Sequence, residues 1–285
     1  MKKILSDWAS VIGATVASLL FCGYYFLVGM RTGSLAEVAQ ERGKFLWGSS
    51  SFILNLAMMW CTAISAMAIG QLSDSFKRRQ RLWIFSTFGL VSIALASLAT
   101  RGGLAGNAGQ ELLAKIANRG VTIFVDLNNV VAPFVVVLLV LAIVFVTRGT
   151  GEASVRSLSG RIYWFNLLLY SGGAVLAAAV YEVYWLFQWG ASLTGDESLQ
   201  AFASSVAVGG GIVFSSLLLL IVGPPAILLT RRLEIIISES AEDISDPQKW
   251  LLKQGIGSTP LRSLGAYIAV LLPAATGLST KLPGF

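Results

Sequence analysis

Lys77-Arg78-Arg79-Gln80-Arg81 places four cations in five residues between two long apolar runs. Lys and Arg beside membrane-spanning helices stay on the cytoplasmic side, because carrying them across a bilayer strips their hydration. Lys77, Arg78, Arg79 and Arg81 therefore set the direction of the runs on either side, and through them of every other run.

The composition agrees with a membrane reading. Of 285 residues, 55% are hydrophobic and 13% charged, whereas soluble domains carry about 25% charged residues. A chain this apolar cannot cover its outside with polar groups, so its outside must face lipid. There is no His, which removes the commonest metal ligand and general base in one step. Cys22 and Cys61 both fall inside apolar runs and read as free thiols packed as small hydrophobes. The net charge of +6 is spread along the loops, with no aromatic platform or recognition motif beside it, so no nucleic-acid partner is expected. That charge orients helices and touches anionic lipid.

Outward from the basic loop, run 51–70 leads in and run 82–99 leads out. A first run, 8–30, follows Lys2 and Lys3; it exceeds the roughly 7–15 residue core of a signal peptide and reads as a retained helix. Residues 31–48 then lie outside, where Ser34 and Glu37 have capping-box spacing. They predict a short amphipathic surface helix over 35–44, with Phe45 and Trp47 as interfacial anchors. A Gly-rich turn and a short helix carrying Leu112, Leu113 and Ile116 precede a fourth run, 130–147. The loop 148–161 carries Arg148, Arg156 and Arg161 against Glu152 alone, as a cytoplasmic loop should. The fifth run, 162–189, exits to the acidic pair Asp196 and Glu197, and the sixth, 204–230, returns to Arg231 and Arg232.

The expected fold is an all-α polytopic integral membrane helical bundle of about six transmembrane helices over residues 1–232, with both termini cytoplasmic. Its place is the plasma membrane, or the inner membrane of a bacterium. Trp8, Trp83, Tyr163 and Trp164 would mark the inner interface, and Tyr24, Tyr25, Trp47, Trp185 and Trp189 the outer one. Trp60 falls near mid-membrane and reads as a packing residue between helices.

Residues 233–285 form a short helical cytoplasmic tail in this reading. Leu233 to Asp243 continues the sixth helix as a stalk, and Asp246-Pro247 opens a short helix. The apolar segment 261–278 carries Arg262 and Pro273, and it falls short of the ~20 residues of a comfortable span. It reads as a seventh short span, a re-entrant hairpin, or a helix docked beneath the bilayer, with docking preferred.

Few groups offer chemistry. Intramembrane ionisable residues are the default functional signal, and Glu182 is the nearest candidate, assigned to the outer interface as a snorkelling acid among aromatics. Asp126, Asn128 and Asn129 would ring a pore mouth if the fourth helix starts early, and are loop residues, the reading preferred, if it starts at Val130. Asn55, Thr62 and Ser65 are polar groups at membrane depth, read as interhelical hydrogen-bonding groups or a pore lining. Ala207, Gly211 and Ser215 recur every fourth residue, echoed by Gly173 and Ala177. Such stripes let backbones approach closely, within a subunit or between subunits. Gly223, Pro224 and Pro225 should kink or break the sixth helix and form a candidate hinge.

No phosphate-binding loop, nucleophile set or paired-cysteine motif occurs, so neither an enzyme nor a cofactor or metal is expected. The leading functional expectation is a non-enzymatic subunit of an oligomeric membrane assembly that forms or gates a pore, its tail serving assembly or sensing. Its partners would be the lipid bilayer and copies of the chain or other membrane subunits. The alternatives are a structural anchor within a larger complex and a secondary transporter for a small, mostly uncharged solute. The lack of a buried carboxylate at membrane depth weighs against proton coupling.

Overall fold

The structure is a computed structural model that describes residues 42–72, 85–91, 93–94, 119–148, 155–195, 197–239 and 264–281. Five helices are delimited: α1 (Arg42–Leu72), α2 (Arg119–Thr147), α3 (Val155–Thr194), α4 (Glu197–Glu239) and α5 (Leu264–Ser279). Residues 85–91 and 93–94 are helical as well, and the Phe85 ring lies 5.9 Å from that of Phe145 on α2. Four helices are long and apolar enough to cross a membrane, over Arg42–Leu72, Asn128–Thr147, Ser157–Leu193 and Gln200–Ser238. The first apolar run, most of the surface helix expected over 35–44, the basic loop with Lys77, Arg78, Arg79 and Arg81, and the helix expected after Asp246 lie outside the described residues.

Helix bounds differ from the sequence reading where helices run on: α3 begins at Val155 rather than near residue 162, so Arg156 and Arg161 are helical and not loop residues, and α4 begins at Glu197 rather than near residue 204. α1 begins at Arg42 rather than near residue 51, so Trp47 is a helical residue and not a loop anchor. α2 begins at Arg119 rather than near Val130, which makes Asp126, Asn128 and Asn129 helical. Within an apolar layer, backbone polar groups find partners only inside a helix, so polar side chains do not end one there. α4 passes through Pro224 and Pro225 without a break and continues to Glu239, as the stalk reading required. Val222, Ala226 and Leu229 are buried on both sides of the proline pair, and this packing holds the helix together where donors are missing.

α3 is the central helix: 67% of its apolar window is buried, against 28% for α4. α1 runs antiparallel to α3, pairing Trp47 with Glu182 at one end and Gln71 with Trp164 at the other. α2 is antiparallel to α3 too, with Val125 beside Leu186 and Trp189, Leu139 against Gly172 and the carbonyls of Phe145 and Val146 reached by Arg161. The chain turns from α3 into α4 at Gly195, whose φ of 66° glycine adopts without strain.

α4 turns one stripe inward, Ala203, Ala207, Gly211, Ser215, Leu218, Val222, Ala226, Leu229 and Leu233, which is the 3.6-residue period of a helix packed on one side. Its other face exposes Ile212, Val213, Leu219, Leu220, Ile227 and Leu228. Trp60 is likewise exposed, at 41%, and so does not pack between helices as expected.

The expected small-residue stripe is occupied by α5. A Cβ on Gly211 would overlap the Pro273 carbonyl, and one on Gly173 the Ala269 carbonyl. Pro273 has no N–H to give Ala269 four residues back, and that carbonyl instead lies against the Gly173 backbone. The Ala274 N–H donates to Ser215 Oγ at 3.0 Å. These contacts run α5 parallel to α3 and antiparallel to α4, level with the middle of both rather than beyond their ends.

Candidate functional site

Residues Trp47 and Ser51 stand one turn apart on α1, and Glu182, Leu186 and Trp189 share one face of α3. Where these faces meet, the Trp47 indole Nε1 donates to Glu182 Oε1 at 3.0 Å and Ser51 Oγ donates to the same oxygen at 3.2 Å. Glu182 is only 7% exposed. Among the described residues no Lys or Arg pairs with it. The position along α3 is as expected: Glu182 stands 21 residues beyond Arg161, about 30 Å of helix, close to the thickness of a bilayer's hydrocarbon core. Its facing is not. The acid expected to snorkel outward is enclosed by the bundle.

An aromatic lid closes this end. Trp47 and Trp189 stack with centroids 5.6 Å apart, Val125 of α2 and Leu186 pack with them, and Trp185 meets Tyr184 edge-on at 5.0 Å. Gly43 allows the approach of α1, since a Cβ there would stand 2.9 Å from Trp189 Cα.

Several buried polar atoms at this end have no partner. Asn128 is 6% exposed and neither its Oδ1 nor its Nδ2 is hydrogen-bonded. One turn from Val125, it lies on the face that α2 presents to the Trp47–Trp189 stack. The antiparallel run of α2 against α3, with Arg161 on the Phe145 and Val146 carbonyls and Leu139 against Gly172, puts Asn128 at about the level of Glu182. The indole N–H groups of Trp185 and Trp189 are also buried without a partner. Most buried polar groups in proteins are satisfied, so the unpartnered amide of Asn128 and the unpartnered indole donors of Trp185 and Trp189 single out this end of the bundle. Carboxyl and amide oxygens suit a small hard cation or a proton.

The remaining candidates lie elsewhere. Asn55 Nδ2 donates to Ser51 O and Thr62 Oγ1 to Met58 O, both at 2.8 Å, so each side chain is bonded to its own helix. Thr62 is exposed while Ser65, three residues on, is fully buried. Cys61 is a buried free thiol. Asn129 follows Asn128 in sequence and is half-buried; Asp126 is a helical residue of α2. Ala207, Gly211 and Ser215 hold α5, and Gly223, Pro224 and Pro225 lie inside α4. Arg232 bonds the last carbonyl of α2 and Arg231 is exposed. Among the described residues no three His, Cys, Asp or Glu gather as a metal site.

The sequence points to Asn128 only as a pore-mouth or loop residue, and the inward facing of Glu182 with its bond from Trp47 was missed. The signal was the buried spacing Val175, Ala178, Glu182, Leu186, Trp189, which puts the acid on an inward stripe. No family model, curated protein or solved structure matches the chain.

Proposed function

We propose that the protein is a non-enzymatic, multi-pass integral membrane protein that gives a small cation a path across the bilayer, with Glu182 as the group that binds it. The observation that carries this reading is the enclosed carboxyl with two hydrogen-bond donors and no cationic partner among the described residues. A buried acid without a cationic partner is costly to keep, and such acids in membrane bundles serve ion and proton pathways. Asn128 supplies a second oxygen at the same level. The bundle sits with the Arg161 and Arg232 end in the cytoplasm and the Trp47 and Trp189 end outside, in the plasma membrane. α5 lies within the membrane layer, since the residues it packs on fall inside two candidate spans.

Flux across proteoliposomes tests this. Full-length protein is reconstituted and sodium and proton movement are followed with tracer and pH dye. Wild type is expected to conduct one of the two, and Glu182→Gln, inserted equally and with an unchanged melting temperature, to lose at least about tenfold. Equal flux in the two proteins, or none from inserted wild type, would count against the reading.

Assembly into an oligomer or larger complex is a second feature favoured by one observation. A Cβ added at Gly209 or Gly210, on the outer side of α4, would meet nothing within 4 Å, and close helix approach uses such residues. A fixed oligomer in detergent by mass measurement supports it; a clean monomer contradicts it.

A further inference from the structure

The end of the bundle opposite Glu182 is built around the last turn of α2. The Ile143 carbonyl accepts from Thr147 Oγ1 at 2.9 Å and the Val144 carbonyl from the Arg148 N–H at 3.0 Å. The next three carbonyls, which a helix terminus leaves without intrahelical donors, go to two guanidiniums. Arg161 Nη1 donates to Phe145 O at 3.3 Å and Val146 O at 2.8 Å, and Arg232 Nη1 donates to Thr147 O at 2.7 Å. Arg161 comes from α3 and Arg232 from α4, so three helices are tied at one point.

Their anchoring on successive carbonyls sets two full positive charges side by side. The helix C-terminus offers only about half a negative charge in return. No carboxylate among the described residues pairs with either arginine, and each uses one nitrogen for these bonds, leaving most of its five N–H donors. Exposed Arg231 adjoins Arg232 in sequence, and exposed Arg148 follows Thr147, whose carbonyl Arg232 holds. One turn along α3, Trp164 and Tyr163 meet edge-on at 5.8 Å and Trp164 donates to Gln71, the amphipathic aromatics of a membrane interface.

We propose that Arg161 and Arg232 bind the phosphate group of an anionic phospholipid headgroup. Fork-shaped guanidinium donors match phosphate oxygens in pairs, the excess charge needs an anion, and the site lies where three helices meet the level of the headgroups. The inference rests on membrane insertion and is independent of what Glu182 binds.

The test uses full-length protein in nanodiscs of phosphatidylcholine, with or without phosphatidylglycerol, and counts retained phosphatidylglycerol by native mass spectrometry after detergent exchange. Wild type and Arg42→Gln, altered at the opposite end, are expected to retain it equally. Arg161→Gln/Arg232→Gln is expected to bind about tenfold more weakly. Arg161→Lys/Arg232→Lys keeps the charge and the carbonyl contact if the glutamine pair fails to fold, and is expected to fall between. Equal retention in wild type and the lysine pair together with the glutamine pair would overturn the site. Inorganic phosphate raising the melting temperature of detergent-solubilised wild type as much as phosphatidylglycerol does, and not that of the variants, would overturn the lipid assignment in favour of a soluble phosphate.

Discussion

At one end of the bundle the Glu182 carboxyl takes its hydrogen bonds from side chains, Trp47 and Ser51; at the other, the Arg161 and Arg232 guanidiniums give theirs to backbone carbonyls of α2. The supports differ in what they allow. Backbone carbonyls move only if the helix end unwinds, so the arginine end is a fixed tie. An indole and a hydroxyl can turn to new partners by rotamer changes, and the free amide of Asn128 stands at the same level. The acid end is therefore held by groups that can rearrange, as the proposed cation site requires, and the arginine end by groups that cannot.

The largest effect should come from a substitution that attacks neither end. Gly211→Leu drives a side chain into the Pro273 carbonyl and lifts α5 off α3 and α4, a loss of ~3 kcal/mol or more by analogy with overpacked cores. Thermal unfolding in detergent should show it, and should show both ends loosening together. Glu182→Leu strands the buried Trp47 and Ser51 donors, at about 1–3 kcal/mol for each. The drop should appear in the melting temperature, while protection of the last turn of α2 in hydrogen exchange stays intact.

Arg232→Ala strips the Thr147 carbonyl of its donor, expected to cost ~1–2 kcal/mol and to raise amide exchange in the last turn of α2 alone. Asn128→Leu is the smallest in stability and the sharpest in meaning. Replacing an unpartnered buried amide by an apolar side chain of similar size should leave stability unchanged or raise it by ~1 kcal/mol, while cation flux falls. Loss of stability in this variant would show that Asn128 is a structural group, and the contrast between the ends would weaken.

How much of this was legible in the sequence follows from what each feature depends on. Long apolar runs are a property of composition, so the helical character and candidate spans of α1, α2, α3 and α4 could be read directly. The starts of α1 and α2 could not, because polar residues such as Asn128 resemble a loop until the apolar layer around them is known. The place of Glu182 along α3 follows from counting residues, but its facing depends on which side of α3 meets α1. The stripe of Ala207, Gly211 and Ser215 announced a close contact without its partner, since small residues fit any backbone; only the packing shows α5 there. Arg161 and Arg232 were read as charges that orient helices, and their role on the α2 carbonyls needed the spatial meeting of three helix ends.

The most direct measurement is the rate at which a hydrophobic carbodiimide modifies Glu182 in the reconstituted full-length protein, followed by peptide mass spectrometry with sodium, potassium or choline as the only cation. Labelling is expected at Glu182 that one small cation slows at least about tenfold while choline does not, and Asn128→Leu is expected to lose this protection. A rate independent of the cation present would contradict the claim that Glu182 is a cation-binding group.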